Sequence, residues 1–122
     1  MQIKQYIKES SRTRAKLPNQ VLDTFHMLSG MMTELGELTD PFKKQLAYNK
    51  PIDFTNVQEE LGDLMWYIAG FCEINNFDLE AILQNNIDKL RARYPEKFTE
   101  ENAINRNLKR EREILEELGY KQ

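Results

Sequence analysis

The sequence is poor in the residues that build thiolate sites, disulfides and tight turns. Its 122 residues include one cysteine, Cys72, and one histidine, His26, with four prolines and five glycines. A single cysteine cannot form an intramolecular disulfide, so we expect a reducing, cytoplasmic setting. Zinc sites made from clusters of cysteine and histidine are excluded for the same reason.

Excess basic charge and long apolar runs are also missing. The net charge is −3 and the pI is about 5.3, whereas nucleic-acid-binding domains are normally basic. The longest apolar run covers residues 64–72, far short of the roughly 20 residues that span a bilayer. Residues 1–10 lack the apolar core of a signal peptide. We therefore expect neither nucleic acid nor a membrane among the partners.

The pattern that is present is helical. Apolar residues recur at steps of three and four, and alternating β patterns are nearly absent. The length predicts one domain over residues 1–122, and the fold class predicted is all-α, an oligomeric bundle of four to five helices. The predicted helices cover residues 2–14, 20–48, 53 or 55–75, 78–93 and about 99–118, the last ending at Leu118-Gly119.

Several apolar faces decide what these helices are expected to bury. The second helix has a predicted buried stripe, and Pro41 is expected to bend or end that helix. The stripe consists of Leu28, Met31, Leu35, Leu38 and Phe42.

Two further apolar faces exceed what one small bundle can cover, so we expect an oligomer. They are Met65, Trp66 and Ala69 on the third helix, and Ile104, Leu108, Leu115 and Leu118 on the last.

Two acidic pairs at helical spacing are the most informative feature. Glu34 and Glu37 lie on the second predicted helix, and Glu60 and Asp63 lie on the third. Residues three apart share a helix face, and both faces border apolar stripes. Charges at the edge of a core are costly unless something compensates them, and four converging carboxylates repel one another without a cation between them. Such oxygen ligands suit Mg²⁺, which usually keeps waters and substrate phosphates as further ligands.

Other metal sites fit poorly, but a non-catalytic reading stays open. A di-iron bundle needs Glu-x-x-His on two helices, and His26 is the one histidine. Acidic pairs at this spacing are also common on solvated helix surfaces. A helical interaction module without enzymatic activity is therefore the alternative from another class.

Polar and basic groups supply candidate contacts to a phosphate chain. Asn86, Lys89 and Arg93 form one stripe on the fourth predicted helix, and Lys44 and His26 lie on roughly the same side of the second helix as Glu37 and Glu34. A polar stripe is often only a solvated face, and a lone histidine is often structural. Gly30, one turn before Glu34, is expected to leave room for a ligand.

Together these stretches resemble the MazG-like nucleotide pyrophosphohydrolases. The resemblance is carried by the motifs around Glu34-Leu35-Gly36-Glu37 and Glu60-Leu61-Gly62-Asp63, together with the later Asn86-x-x-Lys89 and Arg93-Tyr94-Pro95 elements. It extends roughly over residues 22–98. Either acidic motif alone would be weak, but the combination is specific.

The resemblance implies a particular enzyme. It implies an all-α bundle working as a homodimer or homotetramer, with Mg²⁺ bound by Glu34, Glu37, Glu60 and Asp63 as the catalytic residues. The implied reaction cleaves a nucleoside triphosphate to a monophosphate and pyrophosphate. Asn86 and Lys89 match family positions implicated in phosphate or substrate contact. A related enzyme acting on dUTP or on a phosphoribosyl-nucleotide is the alternative within the superfamily.

Overall fold

The computed structural model describes residues 1–117, and no β-strand occurs within that range. Helix makes up 75% of the structure. Its six helices are α1 (Ile3–Ser11), α2 (Gln20–Tyr48), α3 (Phe54–Ile74), α4 (Leu79–Arg93), α5 (Glu100–Ile104) and α6 (Leu108–Glu116). The all-α prediction is confirmed, although the described residues form one helix more than the four to five predicted. None of these helices is long and apolar enough to cross a membrane.

Side-chain caps fix where five of the helices begin, and the cap of α6 lies in the break before it. The side chains of Asn19, Asp53, Asp78 and Thr99 each accept a hydrogen bond from a backbone N–H two or three residues further on. These bonds satisfy N–H groups that have no partner within the helix. Of the two caps predicted for α3, Asp53 is the one in place and Thr55 lies inside the helix.

The first helix is shorter than predicted because hydroxyl side chains compete for its backbone. α1 ends at Ser11 rather than at residue 14. The hydroxyls of Ser10, Ser11 and Thr13 each donate to the carbonyl three residues earlier. Such local bonds offer the backbone an alternative to the regular helical ladder.

The sequence predicted one continuous last helix, and this prediction is wrong. Residues 105–107 divide it into α5 and α6. Asn107 caps the second start by accepting a bond from a backbone N–H, and Arg106, inside the break, donates to the Glu111 carboxylate. Both interactions stabilise the break. The predicted end at residues 118–119 lies outside the described residues.

The chain forms two compact units, and the first covers residues 1–76. Within it α2 packs along α3, and α1 packs on α3. Gln20 near the start of α2 bonds Ile74 at the end of α3, and Gly30 lies under the Tyr67 ring. Rising numbers on α2 therefore meet falling numbers on α3, and the two helices run antiparallel as expected.

Small residues let α2 and α3 approach closely. Met27 is completely buried, and a Cβ added at Gly70 would lie 2.5 Å from its sulfur. Ala69 and Cys72 are buried beside it, and burial raises the pKa of the Cys72 thiol. This packing forms the centre of the first unit.

The stripe predicted to be buried on α2 is wrong for three of its members. Leu28, Leu35 and Phe42 are exposed. α3 packs instead against the neighbouring face of α2, which carries Met27 and Gly30.

The second unit begins at residue 77, and within it α4 packs on α6. Its buried polar centre is Glu111, of which 3% is exposed. Arg93 from α4 donates to the Glu111 carboxylate through its Nε and Nη2. Arg106 also donates to this carboxylate, through its own Nε and Nη2. These guanidinium groups, Arg106 first, lower the pKa of Glu111 to about 2. The carboxylate thus ties α6 to α4 and to the preceding break.

Candidate metal centre

Four acidic side chains lie along the contact between α2 and α3. Glu34 and Glu37 extend from α2, and Glu60 and Asp63 from α3. Their three-residue spacing keeps each pair on one side of its helix. Because the helices are antiparallel, the pairs come together in the first unit.

Three of the four carboxylates form a tight cluster. One oxygen from each of Glu34, Glu37 and Glu60 lies within 4.8 Å of the other two. Asp63 lies outside this trio, but it lines a cavity of about 250 Å³ together with Glu34, Trp66 and Tyr67. Glu34 therefore belongs both to the trio and to the cavity that contains Asp63.

Simultaneous ionisation of the three clustered carboxyl groups is unfavourable. The pKa of Glu60 is raised to about 7, first by the carboxyl of Glu34, with which it can share a proton, then by burial and by Glu37. Burial, followed by the charge of Glu37, raises the pKa of Glu34. Neighbouring carboxylates disfavour simultaneous ionisation unless a cation compensates them.

Two oxygens in the cluster lack any donor. Glu34 Oε2 and Glu60 Oε2 are shielded from solvent and accept no hydrogen bond from the described residues. A buried carboxylate oxygen without a partner carries a large desolvation cost. Oxygen ligands of this kind match a hard divalent cation, so the residues present fit a magnesium-type ion.

A larger open cavity adjoins the cluster. It measures about 550 Å³, and Glu37, Glu60, Asp40, Pro41 and Asn56 are among its lining residues. Pro41 does not end α2, contrary to one of the two expectations for it. Because proline has no N–H, it leaves the carbonyl of Glu37 without its usual helical donor. The cavity has the size of a small-molecule site.

The space predicted beside Gly30 is not free, so that expectation is wrong. The Tyr67 ring fills it, and a Cβ at position 30 would lie 2.0 Å from Tyr67 Cε1. Glycine is required here for the ring to pack against α2. The ring in turn forms one wall of the cavity that contains Asp63.

Sequence reasoning missed the contribution of the N-terminal helix and of Trp66. The Trp66 indole donates to Thr13 Oγ1 at 2.9 Å, and its ring meets the Tyr67 ring at right angles with centroids 4.9 Å apart. Burial, and then the charge of Asp63, raises the pKa of Tyr6 on α1. The available signal was the position of Trp66 and Tyr67, three and four residues after Asp63.

The predicted substrate contacts on α2 have partners of their own. Lys44 Nζ lies 2.6 Å from Asp40 Oδ2. The His26 ring faces the edge of Tyr67 with centroids 6.3 Å apart, and its Nδ1 is buried without a hydrogen bond. His26 is therefore adjacent to an aromatic wall of the acidic site, and Lys44 is held near the larger cavity by a residue that lines it.

The predicted substrate contacts on α4 lie in the second unit. Asn86 is exposed and Lys89 is half-buried. Arg93 is engaged by Glu111, as described above. The structure thus gives Arg93 a structural partner that the sequence did not suggest.

These features define a class: an all-α protein with a cluster of carboxylates, able to hold a cation, between two antiparallel helices. The family model of the MazG nucleotide pyrophosphohydrolase domain matches residues 24–98. This match covers more than half of the chain and all four acidic positions. The chain belongs to the MazG family, which supports pyrophosphohydrolase activity in general and the use of a divalent metal.

A curated relative gives less functional detail. The Gene 37 protein of Mycobacterium phage L5 is 31% identical over 72 residues, which cover 56% of this chain and 63% of that protein. The aligned part thus spans just under two-thirds of that relative. No solved structure matched the chain.

Proposed function

We propose that the protein is a Mg²⁺-dependent nucleotide pyrophosphohydrolase that converts nucleoside triphosphates to monophosphates and pyrophosphate. The observation that carries the proposal is the trio of carboxylate oxygens from two helices within 4.8 Å of one another. Membership of the MazG family adds the reaction class.

The four acidic residues would hold the metal. Glu34, Glu37 and Glu60 supply the trio, and Asp63 supplies a fourth carboxylate across the Glu34 cavity. When bound, magnesium neutralises charge on the phosphate oxygens and orients the phosphates. One of these carboxylates, or the neighbouring Glu59, takes a proton from the attacking water. The mechanism uses positioning and electrostatics without a covalent nucleophile.

The remaining predicted residues would contact the substrate. We propose that the basic groups neutralise the phosphate tail and that the others orient it. These residues are His26, Lys44, Asn86, Lys89 and Arg93. A cytoplasmic setting, where magnesium and nucleotides are both plentiful, completes the proposal.

An oligomer is part of the proposal, and of the three α3 residues first expected to form its interface, Met65 is exposed whereas Ala69 and Trp66 have neighbours within the chain. Ala69 is 1% exposed, and Trp66 donates a hydrogen bond to Thr13, two residues after the end of α1. On the last helices, Ile104, Leu108 and Leu115 are exposed. Met65 and these residues of the last helices therefore remain candidates for the subunit contact.

The test is a substrate screen with pyrophosphate detection. Common nucleoside triphosphates, dUTP and a phosphoribosyl-nucleotide are each incubated with the protein, with Mg²⁺ or with EDTA. We expect pyrophosphate release from at least one nucleoside triphosphate in the presence of Mg²⁺ and none in the presence of EDTA. Hydrolysis confined to dUTP or to the phosphoribosyl-nucleotide would establish the alternative within the superfamily.

A calorimetric titration separates the enzyme from an interaction module. Mg²⁺ binding to a built site should give a saturable heat and raise the melting temperature, because the ion binds the folded state. The Glu34→Gln/Glu37→Gln double variant should show a much smaller shift. Equal shifts in both proteins, without hydrolysis of any substrate, would favour the interaction module.

A further inference from the structure

The cavity of about 550 Å³ beside the carboxylate trio has walls that the proposed reaction does not use. Two of its lining residues, Glu37 and Glu60, belong to the trio. The other lining residues are Thr33, Gly36, Asp40, Pro41 and Asn56.

The cavity continues from the trio in one direction along both helices. Asp40 lies about one turn after Glu37 on α2, and Asn56 lies about one turn before Glu60 on α3. Because the two helices are antiparallel, both steps lead the same way, over about 5.4 Å. In a nucleotide whose α-phosphate is held at the trio, the group joined directly to that phosphate is the sugar. The cavity is therefore placed to receive the sugar.

The charges around the cavity favour an uncharged group over a further phosphate. Lys44 Nζ lies 2.6 Å from Asp40 Oδ2, and this hydrogen bond lowers the pKa of the Asp40 carboxyl. Asp40 is thus ionised at neutral pH, and it offsets the charge of Lys44. Glu37 and Glu60 add carboxylates at the other end of the cavity. A second anionic group would be repelled by these carboxylates.

The polar groups on the cavity walls are mainly acceptors. An ionised carboxylate such as Asp40 can only accept hydrogen bonds. The backbone carbonyl of Glu37 lacks its usual helical donor, because position 41 is proline. The half-buried Asn56 side chain offers both an acceptor and a donor, and no hydrogen bond joins it to another residue in the range 1–117. Such walls call for a ligand that brings hydroxyl groups.

A nucleobase suits this cavity less well than a sugar. Among the residues that the structure describes, none that lines this cavity is aromatic, so no ring is present for a base to stack on. The aromatic walls belong to the separate cavity that Trp66 and Tyr67 line. Near Gly36 the wall is open, since nothing lies within 4 Å of a Cβ added there.

We infer that this cavity binds the ribose of a ribonucleotide, with Asp40 from α2 and Asn56 from α3 each bonding one of its two adjacent hydroxyls. The inference rests on the proposed function, in which the phosphates of the same nucleotide lie at the trio. Acidic side chains bind ribose hydroxyls in dinucleotide-binding folds by the same chemistry. The substrate class is thus the ribonucleoside triphosphates, and Asp40 and Asn56 determine the preference for them.

The test compares three triphosphates of one base that differ only in the sugar. They are the ribonucleotide, its 2′-deoxy form and its 2′,3′-dideoxy form, each assayed with Mg²⁺. We expect kcat/KM to be highest for the ribonucleotide and at least about tenfold lower for the dideoxy form, because the cavity's polar groups are then left unpaired. The 2′-deoxy form should lie between them.

Asn56→Leu removes the hydrogen bonds of the side chain while nearly keeping its size. Its kcat/KM for the ribonucleotide should fall by about tenfold, whereas its kcat/KM for the dideoxy form should change by less than about twofold. Gln58→Leu is the matched control, because Gln58 is exposed on the same helix and does not line the cavity. It should keep the native preference. Asp40→Ala should also lose the preference, and it replaces Asn56→Leu as the test if that variant loses helix content by circular dichroism.

Three results would overturn the inference. The native protein could cleave the 2′-deoxy or dideoxy form as well as the ribonucleotide. The Asn56 and Asp40 variants could keep the native preference. They could also lose activity equally on all three substrates, which would mark a purely structural role.

Binding measurements separate this inference from the proposed function. If no triphosphate is hydrolysed, the proposed function fails, and the sugar site is then judged by calorimetry with Mg²⁺. The probes are the four common ribonucleoside monophosphates and their 2′,3′-dideoxy analogues. Tighter binding of a ribonucleotide than of its analogue, lost in Asn56→Leu and retained in Gln58→Leu, would uphold the site. Equal binding of the two forms, or no binding of either, would overturn it.

Discussion

At the scale of the residue, Glu60 is the side chain with the most conflicting demands. It lies within reach of Glu34 and Glu37, and one of its oxygens has no donor. A carboxyl in such a position either keeps a proton or binds a cation. The raised pKa describes the first state, and the proposed metal site describes the second.

Removing one carboxylate should separate activity from stability. We expect Glu60→Gln and Asp63→Asn each to abolish hydrolysis, because the metal loses a ligand. The melting temperature without metal should stay level or rise, since like-charge repulsion is relieved. Activity assays and thermal melts check this, with Glu80→Gln on the exposed start of α4 as the control. Near-normal turnover in both variants would contradict the metal site.

Lys89 offers a test of substrate contact that leaves the metal ligands intact. If Lys89→Ala removes a charge-assisted bond to phosphate, it costs on the order of 1.5–3 kcal/mol. We therefore expect kcat/KM to fall roughly tenfold to more than a hundredfold, with the Mg²⁺-induced shift in melting temperature retained. Arg91→Ala, on the same helix but away from the stripe, is the matched control. A loss below about twofold for Lys89→Ala would mark the stripe as a solvated face.

At the scale of the element, the closeness of α2 and α3 positions the site. The Tyr67 ring packs on Gly30. Gly30 lies one turn before Glu34 on α2, and Tyr67 lies one turn after Asp63 on α3. Both helices also carry a glycine between their acidic residues, but nothing lies within 4 Å of a Cβ at Gly36 or Gly62. The glycines therefore have different roles in spite of similar sequence surroundings.

This difference predicts opposite effects for two similar substitutions. Gly30→Ala should destabilise the fold by about 1–3 kcal/mol, because the new methyl group overlaps the Tyr67 ring. Gly62→Ala should be neutral or stabilise by about 0.5–1 kcal/mol, because alanine favours the helix and meets no neighbour. Urea denaturation of both variants provides the comparison. A native-like stability for Gly30→Ala would mean that the ring moves aside at little cost.

The elements also show what the sequence could and could not predict. The extents of α2, α3 and α4 follow from apolar periodicity and capping residues such as Asp53 and Asp78, so they were predicted closely. The placement of both carboxylates of each acidic motif on one helix face follows from their three-residue spacing. The break before α6 depends on Arg106 reaching Glu111, and the covering of Gly30 depends on the Tyr67 ring. The contact between Gly30 and Tyr67 joins positions distant in the sequence. The contact between Arg106 and Glu111 spans only five residues, but it depends on the orientation of two side chains, which apolar periodicity does not contain.

At the scale of the whole molecule, the second unit depends on one buried carboxylate. Glu111 accepts hydrogen bonds from two arginines that reach it from α4 and from the break before α6. Replacing it would leave two guanidinium groups facing each other. The unit should therefore be sensitive to acid and to substitution at this position.

The direction of the acid effect follows from the lowered pKa of Glu111. Its value falls from an ordinary 4.5 to about 2 in the folded chain. The contribution to stability is complete above about pH 4.5 and is lost as the pH falls toward 2. Glu111→Gln should melt at a lower temperature than the native protein at pH 7. The difference between the two melting temperatures should narrow as the pH falls from about 4.5 toward 2. A constant gap between pH 5 and pH 2.5 in thermal melts would contradict this role.

The two faces of α2 have a consequence for how the protein behaves on dilution. One face carries Glu34 and Glu37, and the other is an exposed apolar face that the proposed oligomer would cover. A helix that loses its outer partner is free to fray, and its carboxylates then lose their alignment with those of α3. Turnover per chain should consequently fall as the protein is diluted below the dissociation constant of the oligomer, and an assay over a wide range of enzyme amounts would detect this. A strictly proportional rate over that range would show that each chain works alone.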